Sequence, residues 1–140
     1  MSMLVDTGGL VAYADRRDRW HSRFRRFFDV DALRETLIVP VSVLPEVDYL
    51  VAQRAGAHVA IDFHARILLD VDLRWDFLAR SDFPRILELM RQYADSNIGF
   101  VDASIVAVAE RLGIRKIVTL DHRHFGMIRP RHCEALEILP

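Results

Sequence analysis

The strongest constraint on this chain is an alternation. Four short apolar runs, "MLVD" at 3–6, "TLIVP" at 36–40, "IVTLD" at 117–121 and "LEIL" at 136–139, are separated by long stretches with helical spacing. Each run is leucine-rich or β-branched, too short for a helix, and without polar alternation. That is the pattern of strands buried on both faces, as in a parallel sheet. "VDLRWDFL" at 71–78 is a weaker strand candidate. Between the runs, Trp20, Phe24, Phe27 and Phe28 fall on one helical stripe, as do Val43, Val47, Leu50 and Val51. Ser42 is placed to cap the second helix, with Pro45 in its first turn and Gly56 as its stop. Further helices are expected over 56–70, over 81–95 with Ile86, Leu89, Met90 and Tyr93 inward, and from Asp102 to Gly113 with Ile105, Val108, Ala109 and Leu112 inward. Strands that alternate with helices need right-handed crossovers, so the expected fold is a three-layer α/β/α sandwich around a central parallel sheet.

The 140 residues suit one domain spanning 1–140, and no linker, repeat or low-complexity tract divides them. No apolar run approaches the roughly 18–20 residues of a membrane span, and Asp6 interrupts any leader, so a cytoplasmic protein is expected. Cys133 is the only cysteine, which excludes an internal disulfide. A net charge of −1 excludes a globally basic nucleic-acid binder and leaves only local patches. The densest patch runs from Arg16 to Arg26. It is read as a solvated helix face, as the rim of a partner groove along Trp20, Phe24 and Phe28, or as an RNA contact. Arg123, Arg129 and Arg131 compete for that last role.

The chemistry is in the carboxylates. Asp6 and Asp121 both follow apolar runs, which places them at the carboxyl end of a parallel sheet, where such folds bind ligands. Asp102 opens a helix and shares its inward stripe. Singly, each reads as a cap or turn residue. Together, carboxylates held close repel one another and need a cation. Hard oxygen donors without patterned Cys or His point to Mg²⁺ or Mn²⁺ rather than zinc. His122 and His124, in "DHRHF", are expected in a solvated loop, and Asp95 in a loop or helix stop. The Asp-x-Asp of a haloacid-dehalogenase phosphatase is missing, because Gly8 stands at its second position. A receiver domain's acidic pair, a GxxxxGK[ST] loop and a GxGxxG turn are also absent.

The blocks "LVDTGGLVAYADRRDRWH", "VPVSVLPEVDYLV", "GFVDASIVAVAERLG" and "IVTLDHRHF", in that order and spacing, resemble the PIN-domain family. The likeness is greatest to the VapC-type toxins of bacterial and archaeal toxin–antitoxin operons, and it covers nearly the whole chain. It implies a Mg²⁺- or Mn²⁺-dependent endoribonuclease cutting a structured RNA such as a tRNA or ribosomal loop. It also implies restraint by a cognate VapB-type antitoxin, and a homodimer. Its acidic quartet falls on Asp6, Glu46, Asp102 and Asp121, with Asp6 and Asp102 as the direct metal ligands. Periodicity alone does not choose Glu46 over Asp48; the family motif does. Where the commonest family form has Ser, this chain has Gly8. A PIN-like scaffold that binds RNA or protein without cutting is the alternative.

Overall fold

The sheet is built outward from β1 (Ser2–Val5), whose Met3, Leu4 and Val5 are all buried. In the computed structural model, which describes residues 1–140, β1 lies between β2 (Thr36–Pro40) and β4 (Lys116–Val118). β3 (Arg74–Asp76) and β5 (Glu137–Leu139) form the edges, so the order is β3-β2-β1-β4-β5, parallel throughout. The register sets Leu4 opposite both Ile38 and Ile117, which explains why unbroken apolar runs were needed: a central strand has no solvent face. "IVTLD" is shorter as a strand than expected. The strand ends at Val118; the Thr119 N–H still reaches the Leu139 carbonyl, but its side chain and Asp121 are engaged beyond the sheet.

Seven helices cover the sheet: α1 (Thr7–Ala14), α2 (His21–Arg26), α3 (Leu44–Ala55), α4 (Ala57–Leu68), α5 (Phe83–Gln92), α6 (Phe100–Leu112) and α7 (His122–Met127). The order of strands decides their sides. Steps from β1 to β2 to β3 run one way across the sheet and steps from β3 to β4 to β5 the other. Right-handed crossovers therefore put α1–α4 on one face and α5–α7 on the opposite one. The packing agrees: α1 lies against α2, α3 and α4, and α5 against α6.

Three details differ from expectation. Ser42 does not cap α3; it lies in a single 3₁₀ turn, Val41–Val43, and its hydroxyl is 2.8 Å from that of Ser104 on α6. The aromatic helix is brief, because α2 widens into a π-turn over Phe27–Asp31 that carries Phe27 into the core. Phe24 is also wholly buried, so half of this stripe is core, while Trp20 and Phe28 stay half-buried and Phe28 lines an open cavity with Tyr13 and Leu10. Leu112 is 41% exposed, since α6 ends there and Gly113 takes the left-handed stop conformation at φ 67°.

Gly9 shows how tightly α1 is seated. A Cβ at this position would stand 2.8 Å from Cε1 of Phe24, a ring with no free space to swing into. Gly9→Ala should gain about 1 kcal/mol of helix propensity but lose about 1–3 kcal/mol to overpacking. We expect net destabilisation, read as a lower urea midpoint. A raised midpoint would show that propensity outweighs the contact.

Candidate active site

Asp6 answers a local need first. It is the N-cap of α1, its Oδ1 accepting from the Thr7 N–H at 2.7 Å. Its own N–H donates to the Val118 carbonyl, which extends the β1–β4 pairing by one step and fixes the residue at the mouth of the sheet. This is the point where strand order reverses, the crevice in which open α/β sheets bind ligands. The second oxygen, Oδ2, accepts from the Thr119 hydroxyl at 2.7 Å, and Thr119 Oγ1 accepts in turn from the Asp121 N–H at 2.9 Å. Thr119 thus ties Asp6 to Asp121 across the two central strands.

Asp6 is only 6% exposed and has no cationic partner. Burial pushes its carboxyl from 3.8 up to about 7, against the lowering effect of the Thr119 and Thr7 hydrogen bonds. The charges of Asp102 and Glu46 raise it further. Burial also raises the Asp102 carboxyl, which hydrogen bonding to His124 opposes and the charge of Asp121 reinforces. The electrostatic links therefore run Glu46–Asp6–Asp102–Asp121, an acidic arc with Asp6 and Asp102 at its centre. Each residue arrives on its own element: Asp6 at the head of α1, Glu46 in the first turn of α3, Asp102 in the first turn of α6, and Asp121 as the cap of α7. Asp48, the neighbour that periodicity left open, turns away and meets His64 of α4 at 3.0 Å. Asp95 is exposed in a 3₁₀ turn, Ala94–Ser96.

His124 corrects the sequence reading. It is not in a solvated loop: its ring is mostly buried, with Nδ1 2.8 Å from Asp102 Oδ2 and 2.9 Å from Asp121 Oδ2. Its backbone N–H donates to Asp121 Oδ1, so the cap of α7 also aims the imidazole. One ligand atom each from Asp102, Asp121 and His124 lies within 4.8 Å of the others. The local part is an ordinary N-cap, Asp121 accepting from the backbone N–H three residues on, and it says nothing of the imidazole. That Asp102 lies opposite is a tertiary fact. Thr119 was missed for the same reason.

The donor set fits a hard divalent cation. Carboxylate oxygens dominate, one imidazole joins them, and Asp6 is a buried acid with nothing positive beside it. The Thr7 hydroxyl, next to Asp6, is buried with no hydrogen-bond partner, which is costly unless another ligand completes it. Gly8 lies between these groups and Leu120; a Cβ there would press on Leu120 Cβ at 3.3 Å, so the loop between Thr119 and Asp121 can close over α1.

Comparisons with known proteins point the same way. The PIN-domain family model matches residues 3–128. Ribonuclease VapC26 of Mycobacterium tuberculosis is 33% identical over 141 aligned residues, covering 99% of this chain and all of that protein. Among solved structures, VapC20 of Mycobacterium tuberculosis, a sarcin-ricin loop cleaving toxin, superposes with a TM-score of 0.78 at 22% identity, covering 87% of this chain and 92% of its own. A chain of VapBC2 from Rickettsia felis, bound to a DNA fragment from its promoter, superposes over the full length of both chains with a TM-score of 0.73 at 18% identity.

Proposed function

The chain belongs to the PIN-domain family, and from that premise we propose that it is a divalent-metal-dependent endoribonuclease, the toxin of a toxin–antitoxin pair. The observation that carries this reading is Asp6, a buried carboxyl raised to about 7, without a cation, and facing the charges of Asp102 and Glu46. Such an arrangement is unfavourable for folding and suits an ion site. The relative named as a ribonuclease supports the RNA substrate, here proposed as a structured tRNA or ribosomal loop. The partners are a VapB-type antitoxin and a second copy of the chain. The place of action is the cytoplasm, in keeping with the absence of any helix long and apolar enough to cross a membrane. Residues 1–140 act as one domain.

Asp6 and Asp102 would hold the ion, Mg²⁺ or Mn²⁺, while Asp121 and Glu46 would complete its shell or orient water. A cation bound there would supply an acidified water and offset charge developing on the phosphate. Thr119 fixes the rotamer of Asp6 and the backbone of Asp121, and His124 holds Asp102 and Asp121 in register. No serine or cysteine nucleophile is required.

The deciding experiment is cleavage of a structured RNA by purified protein with Mg²⁺ or Mn²⁺, with EDTA, and with metal restored. Cleavage should appear with metal, vanish in EDTA and return. No cleavage under any condition, with RNA still bound, would favour the non-cutting scaffold.

A further inference from the structure

The arginines between Arg16 and Arg26 are not equivalent. Arg17 pairs with Asp15, Arg25 with Asp29 and Arg26 with Asp31, while Arg54 from α3 takes up Asp18. These pairs neutralise three of the six arginines, and Asp15 and Asp18 are themselves largely buried. Arg16, Arg19 and Arg23 have no acidic side-chain partner, and the last two share Trp20. Their guanidinium carbons stand 4.7 Å and 5.7 Å from the ring centroid of Trp20, which is itself half-buried against the core. Cation–π contact with an anchored indole restricts two long side chains that would otherwise sample many rotamers.

Their place in the fold is the second observation. Arg23 donates to the Pro140 carbonyl at 2.7 Å, just beyond β5. The preceding residue, Leu139, accepts from the Thr119 N–H at 2.9 Å, and Thr119 holds Asp6. Phe24, next to Arg23, lies against Gly9 and hence against the helix that Asp6 caps. Arg19, and Arg23 through its bond to Pro140, therefore stand at the carboxyl end of the sheet, on the flank of the acidic arc. An acidic centre attracts a polyanion poorly by itself, and unpaired positive charge beside it supplies what it lacks.

We propose that Arg19 and Arg23, held by Trp20, form a clamp for the RNA backbone on the β5 side of the cleavage site. The clamp takes phosphates without reading bases, and Trp20 is its positioning residue. This rests on the ribonuclease reading for its substrate but is tested apart from it. The probe is a labelled single-stranded RNA of about twelve nucleotides, with binding followed by fluorescence anisotropy in EDTA, where no cleavage is needed. The double variant Arg19→Gln/Arg23→Gln should weaken binding about tenfold and flatten the plot of log affinity against log salt by about 1.4. Trp20→Leu should weaken binding in the same direction, and Trp20→Phe, which keeps an aromatic face, should restore most of it. In cleavage assays with Mg²⁺ the double variant should raise KM and leave kcat, while a dinucleotide too short to reach the clamp should be cut as well as by wild type. Unchanged affinity and salt slope in a variant with the wild-type melting temperature overturn the proposal. So does a loss confined to antitoxin binding, which would assign these arginines to a protein interface. Failure of wild type to cleave any RNA, with the clamp's effect on binding intact, overturns the ribonuclease reading instead.

Discussion

Asp6→Asn should abolish RNA cleavage and raise the melting temperature of the metal-free protein. Loss of a supporting group around a metal costs roughly 10–100-fold, so loss of a direct ligand should exceed about a hundredfold. The gain in stability follows from linkage. A carboxyl at 3.8 in the unfolded chain and about 7 in the fold leaves the native state holding more protons between those values. Stability then falls as pH rises through that window, and above it the ionised acid costs the fold at most about 4 kcal/mol. Asparagine removes the charge and keeps the shape: its oxygen can accept from the Thr7 N–H, and its amide can donate to Thr119 Oγ1. Allowing for imperfect replacement, a gain of about 2 kcal/mol, or about 7 °C for a chain of this length, is expected in EDTA at neutral pH. Mg²⁺, if it is the ion, would bind only the folded site, so it should raise the wild-type melting temperature and leave the variant's unchanged. A variant that melts below wild type in EDTA would make Asp6 chiefly a structural cap.

The second large effect lies away from the chemistry. Arg111, near the end of α6, bonds both Asp76 of β3, at 2.6 Å, and Asp82 beyond it, at 2.9 Å. Asp82 is only 4% exposed, and its Oδ2 also accepts from the Ala79 N–H. β3 is a three-residue edge strand, and this arginine fastens it to the helix that carries Asp102 at its other end. Removing one partner of a buried pair leaves the other charge uncompensated, which costs about 3 kcal/mol. Arg111→Met should therefore lower the melting temperature by about 10 °C. Activity per folded molecule should survive well below the transition, since Asp102 lies about two and a half helical turns away. A variant with the stability of wild type would show that solvent screens this network.

The sheet was legible because its code is local. "TLIVP" coincides with β2 from Thr36 to Pro40, since a β-branched run without polar alternation has few other uses. The end of β4 was not legible. Thr119 reads as a strand residue, and only its bonds to Asp6 and Asp121 show that its hydroxyl serves the site. The convergence of Asp6, Asp102 and Asp121 could be argued from strand ends and a helix stripe. Glu46 could not be separated from Asp48 by spacing, because both lie near the same apolar face, and the structure separates them through His64. His124 follows a strand end and reads locally as an exposed loop residue, and only the tertiary contact with Asp102 of α6 places it in the site. Trp20 was read as one member of an apolar stripe. Its partners Phe24 and Phe27 are core, and the indole instead carries two guanidinium groups.

The account depends on an ion held between the head of α1 and the head of α6. A crystal of the wild-type protein grown with Mn²⁺, and its anomalous difference map, tests this directly. The account predicts a single strong peak at the mouth of β1 and β4, with oxygens of Asp6 and Asp102 both at about 2.1 Å. A peak held only by Asp121 and His124, with the Asp6 carboxyl still bonded solely to Thr7 and Thr119, would contradict it.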